Sequence, residues 1–155
     1  SDWYTTTGSI KKANTPIEVE NSNADKATFV LLKNNAGYHL VAIYGKPSGD
    51  SSGDGTSGSV HVTPTCNGGS CNVEHLNNND ALTPPPLQLS WKVADTGGFV
   101  LGPFMLSTNV CLDHNNLSGL STGARFVDGS KGETAVAASS AVLESDLICF
   151  PIPAA

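Results

Sequence analysis

The chain has 155 residues, a net charge of −6, 14% charged and 39% hydrophobic residues, and a single arginine, Arg125, beside seven lysines. This length fits one domain spanning 1–155, and a chain of this size removes roughly two thirds of its unfolded surface from water, so it needs no metal or disulfide to hold a core. Nucleic acid and anionic membranes both require clustered cations, and a bilayer span requires ~18 consecutive apolar residues; the sequence has neither, which excludes both as partners.

Trp3 and Tyr4 lie near the chain start and are the aromatics expected at the surface. Residues 27–32 form an apolar, β-favouring run and 34–37, Asn-Asn-Ala-Gly, carry turn chemistry. Residues 38–44 form a second run, so 27–44 reads as a hairpin. Residues 46–59 are almost entirely Pro, Ser, Gly, Asp and Thr and read as an exposed loop. Within it, Asp50-Ser51-Ser52-Gly53-Asp54-Gly55 matches the first half of an EF-hand loop. The match ends there, since the position of the bidentate Glu is His61 and no helix flanks the segment. Asp50 and Asp54 remain a weak calcium pair, and no other cofactor is expected.

Val60 and Val62 alternate with His61 and Thr63 along 60–65, and a tight turn, Asn67-Gly68-Gly69-Ser70, follows. Residues 71–75 are expected to return as the partner strand. That reversal brings Cys66 and Cys71 across the neck of a hairpin and leaves Cys111 to pair with Cys149. Chain-entropy estimates assign about 2 kcal/mol to the short loop and about 4 kcal/mol to the long one. His61, Cys66, Cys71 and His75 also have the ligand types of tetrahedral zinc, but the even cysteine count and the Gly, Pro, Ser and Asn-rich composition point to an exported chain, where the disulfide is the simpler reading. The start at Ser1, without a basic and apolar leader, is that expected of a mature or trimmed product.

Pro84-Pro85-Pro86 fix an extended segment. After it Leu87, Leu89 and Trp91 share one face of a strand, with Gln88 and Ser90 on the other. Phe99-Val100-Leu101 and Phe104-Met105-Leu106 flank Gly102-Pro103 and are expected as two buried strand pieces joined by a bend. Residues 135–143 form the one helix-compatible window, while 142–148 suits a strand equally well. Short strands at intervals of about 8 to 12 residues, with turn residues between them, predict an antiparallel β-sandwich with at most one short helix. A closed barrel is the runner-up.

The densest polar cluster is Cys111-Leu112-Asp113-His114-Asn115-Asn116, read as a loop beyond an apolar strand end. Planar amides and a carboxylate donate to and accept from adjacent sugar hydroxyls, and an aromatic ring covers the sugar's C–H face. Asp113, Asn115 and Asn116 with Trp3 or Tyr4 therefore outline a secreted, non-catalytic, lectin-like module with carbohydrate as partner, although Asp and Asn are also ordinary turn residues. The alternative is a protein-interaction module, such as an effector, protease inhibitor or adhesin component, that presents the clamped 66–71 turn to a protein surface. A second alternative is a polysaccharide hydrolase using carboxylates such as Asp95 and Asp113; no nucleophile elbow, helical metal motif, phosphate loop or dinucleotide fingerprint supports an enzyme. Asn116-Leu117-Ser118 is an acceptor triplet for N-glycosylation in a eukaryotic secretory route. A glycan there would shield residues 113–114, so this reading competes with sugar binding.

Overall fold

The computed structural model describes residues 2–6, 9–20, 27–34, 36–44, 57–77, 86–91, 96–119, 124–128, 134–139 and 147–152. Among them are thirteen strands and no helix: β1 (Trp3–Thr6), β2 (Ser9–Lys12), β3 (Glu18–Glu20), β4 (Ala27–Asn34), β5 (Gly37–Tyr44), β6 (Gly58–Cys66), β7 (Val73–Leu76), β8 (Leu87–Trp91), β9 (Gly97–Phe104), β10 (Asn109–Ser118), β11 (Ala124–Asp128), β12 (Thr134–Ser139) and β13 (Ile148–Pro151).

They form three sheets packed in layers. A six-stranded sheet, β12-β11-β4-β5-β9-β7, lies between a four-stranded sheet, β13-β10-β6-β8, and a three-stranded sheet, β1-β2-β3. The β-sandwich expected from the strand spacing is the architecture found, and the sheets do not close into a barrel. Pairing is antiparallel except between β4 and β11, which run parallel.

Side-chain alternation explains the layering. Along β5, Leu40, Ala42 and Tyr44 face the four-stranded sheet and meet Val60, Val62, Leu87, Leu89, Trp91 and Leu112. His39, Val41 and Ile43 face the other way, where Val41 and Ile43 meet Trp3, Ile10 and Val19 of the small sheet. A strand buried on both faces reads as a continuous apolar run, which is why 38–44 lacks the polar alternation of β8. On β8, Leu87, Leu89 and Trp91 are buried while Gln88 and Ser90 are exposed, as the pattern predicts. The 27–44 hairpin is formed by β4 and β5 with Val30 opposite Val41.

Four expectations are corrected. Residues 135–139 of the helix-compatible window belong to strand β12, paired with β11; the alanines there favour a helix, and the ladder to a neighbouring strand overrides that local preference. The segment after Cys71 does not return beside β6. Instead β7 pairs with β9, so the 66–71 turn carries the chain from one sheet to the other. Phe104 ends β9, and Met105 and Leu106 are exposed in a turn rather than buried in a strand. Residues 113–116 lie within β10, not in a loop, because the alternation that buries Val110 and Leu112 continues through His114. Asp50, Asp54, Asp95 and most of the 46–59 loop lie outside the described residues.

Both disulfides form as expected, Cys66–Cys71 and Cys111–Cys149. Two such bonds accord with maturation in an oxidising environment. Cys111 and Cys149 are register partners on β10 and β13, so the long-range bond staples an edge strand to its neighbour. With Cys66 bonded to Cys71, and His61 and His75 on different sheets, the four zinc-type residues do not converge.

Candidate functional site

Three clusters of polar side chains and one exposed turn stand out. The outer face of the four-stranded sheet carries the polar residues singled out in the sequence. Asp113 and Asn115 point to solvent from β10, and across the ladder Asn115 faces His61, which faces Gln88 on β8. Asp113 faces Thr63. The β10–β6 register shifts between Asn115 and Ser118, and at this bulge Asn116 adopts φ 55° and sets its amide 3.2 Å from His61 Nδ1. Asp113, Asn115 and Asn116 are therefore brought together on a flat, polar, nearly uncharged surface.

The aromatics expected to complete a sugar site are not brought there. Trp3 is 4% exposed, sealed between the small sheet and the outer face of β5, and Tyr4 is 44% exposed on that same small sheet. Two sheets separate both residues from Asp113.

Trp3 belongs to a second cluster that sequence reasoning missed. His39 Nδ1 donates to Glu74 Oε1, and Trp3 Nε1 donates to Glu74 Oε2 at 3.4 Å. The Trp3 and His39 rings lie 5.7 Å apart, and Lys12 Nζ sits 5.0 Å over the Trp3 ring. Beside them Thr5 Oγ1 and His75 Nε2 share a 2.6 Å hydrogen bond, and burial lowers the His75 pKa. These contacts join β1, β5 and β7, and they anchor the small sheet to the body. Beside this cluster Gly102 lets β9 approach β5 closely: at φ 124° a Cβ there would lie 2.7 Å from the Tyr38 carbonyl and 3.3 Å from His39 Cα.

The third cluster is sealed between the two large sheets. Tyr44 OH and His114 Nε2 share a 2.6 Å hydrogen bond, with Phe29 edge-on to both rings and Trp91 stacked on Tyr44. Burial pushes the Tyr44 hydroxyl well above its ordinary pKa and holds His114 down to about 4, opposed only in part by Asp113. His114 Nδ1 and Trp91 Nε1 are buried without a hydrogen-bond partner among the described residues. The cluster has no route to solvent through described side chains and its chemistry is that of a core.

The exposed turn lies at one end of the sandwich. Met105 is 82% and Leu106 53% exposed, adjacent in sequence, on the turn between β9 and β10. Thr108 closes this turn by donating to the Met105 carbonyl from its backbone N at 3.3 Å and from Oγ1 at 2.6 Å, with Ser107 at φ 62°. On one flank the Ile152 N–H donates to the Thr108 carbonyl at 2.8 Å. On the other flank lies the clamped 66–71 turn. Asn67 and Gly68 both have positive φ and Cys66 and Gly69 exchange backbone bonds of 2.8 and 3.0 Å, the geometry of the tight hairpin turn that Asn-Gly favours. Asn67 then joins the two turns: its N–H donates to the Asn109 carbonyl at 2.9 Å, and its Oδ1 accepts from the Asn109 N–H at 2.8 Å. The result is a preorganised tip with two exposed apolar side chains, and the residues of its two turns, Asn67 to Ser70, Ser107 and Asn109, are all neutral.

Searched against family models, curated proteins and solved structures, the chain matches none.

Proposed function

We propose that the chain is a secreted, non-catalytic binding module that engages a protein partner through the tip formed by Met105, Leu106 and the clamped 66–71 turn. The observation that carries this reading is the exposure of two adjacent large apolar side chains on a turn fixed from both flanks. Fully burying such side chains contributes roughly 1.5–3 kcal/mol each. A turn already held by its own hydrogen bonds and joined through Asn67 and Asn109 to the disulfide-clamped 66–71 turn loses little freedom on binding, so less of that gain is spent on ordering. A convex, uncharged, apolar knob calls for a concave apolar site of the kind found at the centre of protein interfaces.

A second reading rests on a different surface. The row Asn115, His61 and Gln88, with Asp113 and Asn116 beside it, offers amide, imidazole and carboxylate groups to the hydroxyls of a glycan, without the aromatic platform that the sequence suggested. One experiment separates the two. Wild type, Met105→Asp/Leu106→Asp and Asp113→Ala/Asn115→Ala are each presented to a glycan array and used for quantitative affinity capture from the extracellular fluid of the source. The tip reading requires a captured protein that is lost with the tip variant and kept by the face variant. A glycan signal lost only with the face variant would instead establish the second reading.

A further inference from the structure

The sheet face that carries Asp113 and Asn115 also carries the chain's one N-x-Ser/Thr acceptor triplet, Asn116-Leu117-Ser118. Its geometry suits a bulky attachment. The bulge at 115–118 turns two successive residues, Asn115 and Asn116, outward, while Leu117 packs against the core and secures the strand beneath them. Asn116 is exposed, and the positive φ that lifts it out of the ladder is one that Asn tolerates. Ser118 is exposed as well, with Oγ 3.3 Å from Ser59 Oγ.

We propose that Asn116 is the attachment site of an N-linked glycan whose root is oriented by His61 and which covers the outer face of the four-stranded sheet. The donor is a lipid-linked oligosaccharide pyrophosphate. Asn116 Nδ2 attacks the anomeric carbon, an N–C bond forms, the carbon–oxygen bond to the pyrophosphate breaks, Nδ2 gives up one proton, and the lipid pyrophosphate departs. The second hydrogen on Nδ2 remains, so the glycosylated amide keeps one donor for His61 Nδ1. With the amide held over His61, the first sugars lie above Asn115, His61 and Asp113. A covalent glycan and a bound one then compete for one face, which sets this inference against the second reading above. It is independent of the tip, which the glycan leaves open.

The test is intact mass and glycopeptide mapping of the protein from its native host, alongside Asn116→Gln and Ser118→Ala. The expected result is a hexose and N-acetylhexosamine mass increment on the peptide containing Asn116, lost in both variants. An unmodified Asn116 in the native protein would overturn the proposal. Coverage is read separately from carbodiimide labelling of Asp113 and diethylpyrocarbonate labelling of His61 in the folded protein. Both rates should rise after enzymatic removal of the glycan, and unchanged rates would overturn the claim that the glycan lies on this face.

Discussion

His114 shows how alternation, once extended by one residue, changes a reading. In sequence it stands among Asp113, Asn115 and Asn116 and looks like part of a polar loop, yet its parity is that of Val110 and Leu112, and the fold sends it inward to Tyr44. Because its folded pKa is near 4 against an ordinary 6.5, the unfolded chain binds the proton first as pH falls. Its contribution is therefore fully present above pH 6.5 and is lost as pH falls from there towards 4, by on the order of 3 kcal/mol. Urea unfolding between pH 4 and 7 should show stability rising with pH, and His114→Phe should flatten that slope; an unchanged slope would contradict the assignment. Glu74 is the complementary case. Nothing in the sequence near Glu74 announces a partner, because Trp3 and His39 lie 71 and 35 residues away. Glu74→Ala deprives the buried His39 Nδ1 and the Trp3 indole of their shared acceptor, at a cost of about 1–3 kcal/mol. Hydrogen exchange should show the amides of β1 to β3 losing protection before those of β5.

Among the elements, the strands with clean patterning were legible. Alternation placed β8, turn chemistry placed the β4–β5 hairpin, and the Asn-Gly step placed the 66–71 reversal and with it both disulfides. What local pattern lacks is partner choice: whether β7 returns to β6 or crosses to β9 depends on contacts between β7 and a strand some 20 residues later, which no window of the sequence contains. The small sheet was missed for the same reason, since its strands of three or four residues contribute just three buried hydrophobic side chains among the described residues, Trp3, Ile10 and Val19. Its seat on β9 is Gly98, where a Cβ would lie 2.6 Å from the Ala42 carbonyl and 2.9 Å from Ile10 Cδ1. Gly98→Ala should destabilise the protein by roughly 1–3 kcal/mol in urea unfolding, through displacement of Ile10 or the β5 backbone. At the opposite edge, Cys111→Ala/Cys149→Ala should release β13 from β10, with a loss of up to about 4 kcal/mol and early exchange confined to 148–152.

At the scale of the whole molecule, three stacked sheets leave a protein whose faces differ in kind: a small sheet sealed over the centre, a polar outer face bearing Asp113, Asn115 and Asn116, and an apolar tip. The polar face was legible as a set of residues but not as a surface, because a loop was expected where β10 continues. The tip was half legible, since the 66–71 clamp follows from its spacing, whereas Met105 and Leu106 read as core until the turn at Ser107 exposes them. Met105 is the chain's single methionine, which makes the central claim directly measurable. Photo-methionine incorporated into the protein places one photoreactive group at the outermost point of the tip. On irradiation in the native extracellular fluid, the account predicts a covalent adduct with a protein partner that unlabelled wild type competes away and the Leu106→Asp variant does not. Irradiation that yields only uncrosslinked chain, or adducts that the Leu106→Asp variant competes equally well, would contradict it.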